Sequence, residues 1–385
     1  MPTYPTYKLG DVAEIILGQS PESKSYNTKG EGLPFFQGKS EFTDWFPVPN
    51  KWCTEPKKIA EPLDILLSVR APVGPTNVAK EKCCIGRGLA AIRYPECYKY
   101  VLYYLRSVSK HLESKATGTT FSSISGDVIR NLSIPLPPLP TQHQIVSRIE
   151  SIFAELDKAV EHLRTAQQQL KIYRQAVLNH WLNNDDGKWE MVKLGEVAEV
   201  KRGRSKHRPR NDKSLFGGKY PFIQTGEIRE AKGGTISTYS QTYSEKGLEQ
   251  SRLWPKGTLC LTIAANIAET AYLGFDACFP DSVVGIIARQ DRLNLDYFNC
   301  YIQLIKQMIE QQASATAQKN INVDYLDNLQ IPLPPLPEQQ RIVEEIETPL
   351  SQAEAAEARI AEALQKTEAL RQSILKKAFS GEFDL

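Results

Sequence analysis

Residues Asn131 to Glu150 read NLSIPLPPLPTQHQIVSRIE, and 197 positions later Asn328 to Glu347 read NLQIPLPPLPEQQRIVEEIE, with 14 of 20 positions identical. A chain that states one hinge and one helix start twice is expected to fold into two related halves. Lys8-Leu9-Gly10-Asp11-Val12-Ala13-Glu14 returns as Lys193-Leu194-Gly195-Glu196-Val197-Ala198-Glu199 at an offset of 185, and Pro34-Phe35-Phe36-Gln37 returns as Pro221-Phe222-Ile223-Gln224 at 187. Leu66-Leu67-Ser68-Val69 matches Cys260-Leu261-Thr262-Ile263 at 194. The growing offset puts 12 extra residues into the second block, inserted where loops are expected, while the framework is kept. Two like frames with unlike loops imply two similar surfaces that recognise different things at a fixed separation.

A length of 385 residues with 41% apolar content allows two or three packed domains. The net charge of +2 excludes a uniformly basic coat and leaves room for local patches. No apolar run reaches the roughly 18 residues of a membrane span, and MPTYPTYKLG lacks a signal-peptide layout, so a soluble, cytoplasmic chain is expected. Seven cysteines without CxxC spacing fit a reducing compartment. Cys83-Cys84 is a poor zinc clamp and reads as a half-buried strand residue beside a surface thiol.

The fold class expected is α+β, with two tandem mixed β-rich domains separated by two long helices that pair as an antiparallel coiled coil. The boundaries are 1–140 and 185–337 for the β-rich domains, 141–184 for the central helix and 338–385 for the C-terminal helix. Short β-branched and aromatic runs punctuated by Pro and Gly mark strands at Val12 to Leu17, Leu33 to Phe36, Ile65 to Val69 and Cys84 to Ile92, with a helix near Tyr98 to Lys115. The second block repeats this near Val197 to Lys201, Tyr220 to Gln224, Thr258 to Ile263 and Val283 to Ala288, with a helix at Leu295 to Gln312. After Pro140 the period changes. Ile145, Ile149, Ile152, Leu156, Ala159, Leu163, Ala166, Leu170, Tyr173 and Val177 step by 4 and 3, the seam of a helix about 60 Å long, with Thr141 and Gln144 as a capping box. The matching seam runs through Ile342, Ile346, Ala353, Ala356, Ile360, Ala363, Thr367, Leu370 and Ile374, with Pro349 expected to kink or restart the helix at a Thr348 cap. The two IPLPPLP segments read as stiff polyproline struts that set the angle between block and helix.

Catalytic motifs are missing. Gly32 to Ser40 spaces its glycines wrongly for a phosphate loop and puts Pro34, Phe35 and Phe36 where small residues must wrap a phosphate. There is no NPP[FY], GxGxxG, HExxH or GxSxG sequence, and His143, His162 and His180 read as solvated helix positions, as does the pair Glu344-Glu345. Lys201 to Arg210 (KRGRSKHRPR) carries six Lys or Arg without an acid and reads as a basic loop after a strand, able to neutralise phosphates or pair with guanine. Its counterpart, Gly18 to Lys24, shares the glycine and almost none of the charge, while Arg70, Arg87 and Arg93 supply positive charge to the first block.

These pieces together resemble the specificity subunit of type I restriction-modification enzymes. The residues that carry the resemblance are KLGDVAEIILGQSP, GLPFF, LDILLSVRAPVG, CIGRGLAAIR, TGTTFSSISGDVIRNLSIPLPPLP and QIVSRIE, with KLGEVAEV, YPFIQTGEI, GTLCLTIAANIA and QKNINVDYLDNLQIPLPPLPEQQRIVEEIE in the second half. The resemblance implies two target-recognition domains, each reading one half of a split DNA sequence, on a chain without catalysis of its own. It implies two modification subunits that bring S-adenosylmethionine and restriction subunits that use ATP and Mg2+, so that no cofactor is bound directly. Thr141 to Gln144 replaces the EQQ start seen at Glu338 to Gln340, and Pro349 also departs from the pattern.

The expected DNA-contacting residues are Arg70, Arg204, Arg208 and Gln224 toward base edges and Lys39, Lys57, Lys206 and Lys219 on phosphates, with Arg87, Arg202 and Arg210 also expected to bind DNA. The domains would sit about one DNA turn apart, roughly 34 to 36 Å. Two other classes stay open at this point: a free-standing DNA-binding protein that binds duplex tightly alone, and a scaffold whose basic loop is incidental.

Overall fold

The computed structural model describes residues 4–117, 122–207, 209–314 and 320–383. The chain packs as two compact units, Met1–Arg164 with Ala361–Leu385, and Thr165–Ile360. In chain order the named elements are β1 (Thr6–Lys8), β2 (Glu14–Leu17), β3 (Leu33–Phe36), β4 (Ile65–Ser68), β5 (Thr76–Val78), β6 (Cys83–Ile85), β7 (Leu89–Arg93), α1 (Tyr98–Ser107), β8 (Ser133–Pro135) and α2 (Leu139–Leu182). There follow β9 (Met191–Lys193), β10 (Ala198–Arg202), β11 (Phe216–Phe222), β12 (Leu259–Thr262), β13 (Thr270–Leu273), β14 (Val283–Ala288), α3 (Leu295–Ser314), β15 (Gln330–Pro332) and α4 (Leu336–Ser380). Both α2 and α4 contribute a segment to each unit.

In the first unit β2, β7, β4 and β5 form an antiparallel sheet in that spatial order. The second unit repeats the order with β10, β14, β12 and β13, and adds Thr235–Ile236 in parallel at its edge. Each sheet has one face packed on a helix, α1 with Tyr100, Val101 and Leu105 in the first core and α3 with Tyr297, Phe298 and Ile302 in the second.

The single strand expected over Cys84 to Ile92 is two strands in different sheets. β6 lies parallel to β3 through Phe35↔Cys84, and β7 belongs to the main sheet, because Gly86-Arg87-Gly88 turns the chain between them. The expected surface thiol is absent as well. Cys83 and Cys84 face opposite sides of β6 and both sides are covered, so both are fully buried and burial pushes each thiol up to about 12. The helix expected over Tyr98 to Lys115 is interrupted at Val108 and resumes over Ser109–Ser114.

The proline-rich hinges are not bare struts. β8 pairs with β1 and β15 with β9, so three residues of each hinge are strand. Prolines bring carbonyls without N–H groups, and those carbonyls need donors from elsewhere. Tyr100 donates to the Pro135 carbonyl at 2.6 Å and Tyr104 to that of Ser133, and in the second unit Tyr297 donates to Pro332 at 3.0 Å and Tyr301 to Gln330 at 3.4 Å. A buried glutamine completes each set. Gln142 Nε2 donates to Pro137 at 2.9 Å, and Gln339 Nε2 donates to Pro334 at 2.8 Å and Arg292 at 2.9 Å while its Oε1 accepts from the Asn294 N–H at 2.8 Å.

This glutamine requirement also moves the helix starts. α2 begins at Leu139, two residues ahead of the expected Thr141 cap, with Pro140 in the first turn, where its missing N–H costs nothing. The N–H groups of Thr141 and Gln142 bond to the Pro138 carbonyl at 2.9 and 3.1 Å. α4 runs unbroken from Leu336 to Ser380 with Pro349 inside it, so the helix does not restart at Thr348.

The long helices pair antiparallel within each unit. In the first, Ile145 and Ile149 share a core with Leu375 and Ala378, and Arg371 pairs with Asp157. In the second, Leu178 and Leu182 share a core with Ile342 and Ile346, and Arg174 pairs with Glu357 at 3.5 Å. Of the expected seam, Ile145, Ile149, Ile342, Ile346 and Ile374 are buried, and Ile152, Leu156, Leu163, Leu170 and Ile360 are half-buried. Leu370 is not on the seam. It is 48% exposed, as is its repeat equivalent Tyr173 at 46%, and the seam passes instead through Arg371 and Arg174. A guanidinium outcompetes the neighbouring apolar side chain here because Arg371 stacks on the Phe153 ring at 4.9 Å and reaches a carboxylate on the facing helix.

Two outcomes test these contacts. Gln339→Leu removes the side-chain partners of the buried Pro334 carbonyl, the partly buried Arg292 carbonyl and the Asn294 N–H, and should cost about 2 to 3 kcal/mol in urea denaturation. Arg371→Ala should cost about 1 to 2 kcal/mol while Leu370→Gln stays within about 0.5; the reverse order would restore Leu370 to the seam.

Candidate nucleic-acid interface

Register decides which loops meet. In the first unit Ala90 pairs with Leu17 and Leu89 with Ser68, so the C-terminal ends of β2 and β4 flank the N-terminal end of β7. The parallel pairing Phe36↔Ile85 brings the end of β3 to the same turn. Ser20, Gln37, Arg70 and Arg87 therefore converge from four separate segments. Ser20 Oγ and the Gln37 side chain bond at 3.0 to 3.2 Å, and the Arg87 N–H donates to Ser20 Oγ at 3.3 Å. The approach demands glycine, since a Cβ on Gly18 would lie 2.1 Å from the Gly86 carbonyl oxygen and one on Gly88 2.3 Å from that of Gln37.

The second unit repeats the frame. The Gly203 N–H bonds to the Val283 carbonyl at 2.8 Å as that of Gly18 does to Leu89 at 2.9 Å, and the Val283 N–H bonds to Pro280 at 3.1 Å as Leu89 does to Gly86 at 3.0 Å. Arg87 and Asp281 thus occupy the same turn position. A buried hydroxyl holds the neighbouring loop from within in both units: Ser68 Oγ donates to the Arg70 and Pro72 carbonyls at 3.1 and 2.9 Å, and Thr262 Oγ1 to that of Asn266. That loop has the same length in the two copies, and where the first uses Gly74 at φ +105 the second uses Ala268 at φ +59. A non-glycine residue there stores backbone strain at the buried base of the loop, where the Ala268 N–H bonds to the Thr262 carbonyl.

The expected contact residues divide into free and occupied. In the first unit Lys39, Lys57, Arg70 and Arg87 are exposed, and among the described residues their side chains form no hydrogen bond or ion pair, Arg87 standing near the Tyr26 hydroxyl. Arg93 is committed to structure, with a two-pronged bond to the buried Asp64 at 2.8 and 2.9 Å and a third contact to Glu14 at 2.8 Å. In the second unit Arg202 donates to the Asp281 carbonyl, Arg210 pairs with the Asp281 carboxylate at 2.7 Å, and Lys201 pairs with Glu199 at 2.9 Å. Lys219 lies within β11, pairs with Glu245 at 3.0 Å and sits over the Tyr220 ring, so it is held away from the sheet end. Arg204 and Lys206 are exposed and without side-chain partners among the described residues, and Arg208 lies outside those residues. Gln224 is exposed just past β11 and donates to Gln241 Oε1 at 3.1 Å. The basic loop is anchored at its far side by Asp212, whose carboxyl is held well below its usual range by the Ser214 N–H and hydroxyl and by His207.

Gln37, Ser68, Thr262 and Asp281 were not singled out by sequence reasoning. Gln37 could have been, because it stands opposite Gln224 in the repeat. Asp281 could not, since its role depends on a contact 71 residues distant. Among the described residues no group of three His, Cys, Asp or Glu side chains could hold a metal ion, and no helix is long and apolar enough to cross a membrane.

Two sheet-ended frames of one design, each presenting exposed cations beside hydrogen-bonded amides and each followed in sequence by a long helix, fit a DNA-binding protein built from an internal repeat. The model of the type I restriction modification DNA specificity domain matches residues 1–163 and 186–366, and the chain belongs to that family. It is a non-catalytic DNA specificity subunit. The putative type I restriction enzyme MjaX specificity subunit of Methanocaldococcus jannaschii is 40% identical over 169 residues, covering 43% of this chain and 39% of that protein. The type I restriction enzyme StySPI specificity subunit of Salmonella potsdam is 24% identical over 378 residues, covering 90% of this chain and 80% of that protein. Among solved structures, a chain from work on complex assembly and conformational transition of the type I R-M system shares the fold with a TM-score of 0.82 at 21% identity, covering 100% of this chain and 99% of that one.

Gly203 tests the frame. A Cβ there would lie 2.3 Å from the Pro280 carbonyl oxygen and 2.5 Å from that of Phe279, so Gly203→Ala should cost about 1 to 3 kcal/mol in thermal or urea unfolding.

Proposed function

We propose that residues 1–140 and 185–337 are two target-recognition domains that read the two halves of a bipartite, asymmetric duplex sequence. The segments 141–184 and 338–385 act as the spacer and, with the hinges, as the docking face for two modification subunits. Restriction subunits join that assembly. S-adenosylmethionine, ATP and Mg2+ belong to those partners, and the chain works with them in the cytoplasm.

One observation supports this reading above the others: the same sheet end recurs in both units, built on one equivalent glycine (Gly18 and Gly203) and one buried hydroxyl (Ser68 and Thr262), yet carries different side chains. In the first, Arg70 and Arg87 would reach base edges, with Lys39 and Lys57 on phosphates. In the second, Arg204 and Gln224 would read bases and Lys206 a phosphate. Arg208 remains an assigned reader. Arg202, Arg210 and Lys219, already held by Asp281 and Glu245, would act through their neighbours or only after those contacts break.

The test is a length change. Inserting seven residues at facing positions of α2 and α4 adds about 10 Å, or about three base pairs, to the spacer. With the methyltransferase co-expressed, maps of methylated adenine should show a longer spacer between unchanged half-sites. Altered half-sites with an unchanged spacer would refute the proposal.

A further inference from the structure

The turn that carries Arg87 in the first unit carries Asp281 in the second, on matching backbone bonds, so the sign of the charge at one position of a shared frame is reversed. Asp281 is not an idle substitution. Its carboxylate takes Arg210 at 2.7 Å and its own carbonyl takes Arg202, so one residue grips the basic loop near both ends. Gly203 lets that loop lie against Phe279 and Pro280, where any side chain would collide with their carbonyl oxygens. Two residues past Arg202, the Arg204 carbonyl accepts from Ser251 Oγ at 3.0 Å, which fixes the backbone while the Arg204 side chain stays exposed.

We propose that Asp281 is a specificity-setting positioning residue: it withholds Arg202 and Arg210 from the duplex and presents Arg204 and Lys206 in their place, where the first unit presents Arg87 directly. This rests on the reading of both units as duplex-recognition domains. It adds that one position in the shared frame selects different bases in the two half-sites through opposite charges. An arginine paired to the carboxylate and a second bonded to the backbone carbonyl of the same residue cannot also serve as free donors to guanine, so Asp281 narrows what an otherwise indiscriminate basic loop can contact.

The experiment uses the full-length chain in complex with its methyltransferase partner, and competition binding against duplexes carrying each base pair at each position of the target. Asp281→Asn keeps the side-chain volume and removes the charge. It should change base preference about ten-fold at one or two adjacent positions of one half-site and leave the other half-site as in the parent. Arg210→Gln should disturb the same positions, the double variant should add nothing to Asp281→Asn, and Arg87→Gln should relax the opposite half-site. If Asp281→Asn lowers only the melting temperature and leaves every base preference unchanged, Asp281 is structural and the proposal falls. If the unaltered complex shows no base preference at all, the recognition reading itself fails, an outcome visible before any variant is made.

Discussion

The fold depends on how a proline-rich segment satisfies its carbonyls. IPLPPLP cannot pair on both edges like an ordinary strand, because its prolines have no N–H to give. Each unit answers with side-chain donors aimed at the same acceptors, two tyrosines one helical turn apart and a glutamine in the first turn of the following helix. Those bonds lock helix, strand and recognition sheet to one another. A polar side chain buried with its partners cannot be shifted by one residue without orphaning several groups at once, so the direction in which the helix leaves the block is specified and not merely permitted.

On that base the frame and the tips are free to diverge. The buried hydroxyls of Ser68 and Thr262 and the close approaches at Gly18 and Gly203 depend on backbone geometry, and both copies keep them. The side chains that project from the same turns are under no such constraint. Arg87, exposed, and Asp281, half-buried, occupy equivalent positions with opposite charge because the shape of the turn is set by the neighbours' backbone.

Much of this was legible in the amino-acid sequence. The repeat announced two units, the change of period announced the helices, and the buried seam residues Ile145, Ile149, Ile342 and Ile346 follow from spacing alone. What was missed depends on long-range partners. Leu370 fits a heptad by position and loses to Arg371 because Phe153 and Asp157, more than two hundred residues earlier, make the seam position better for a guanidinium. One thiol of the Cys83-Cys84 pair was expected at the surface because strand alternation predicts one wet face, and both faces of β6 are covered. Composition cannot report either fact.

The basic loop shows the same limit from the side of function. Six cations in ten residues read as a uniform patch, yet Lys201, Arg202 and Arg210 are held by Glu199 and Asp281, which leaves Arg204 and Lys206 free among the described residues. Non-specific attraction to phosphate grows with the number of uncommitted cations, each adding close to one unit to the salt dependence. Base selection depends instead on a few donors held in place. An acid set against a basic loop from a neighbouring turn lowers the first and sharpens the second. That trade suits a domain that selects sequence, because a recognition surface that bound any duplex tightly would make its choice too slow to reverse.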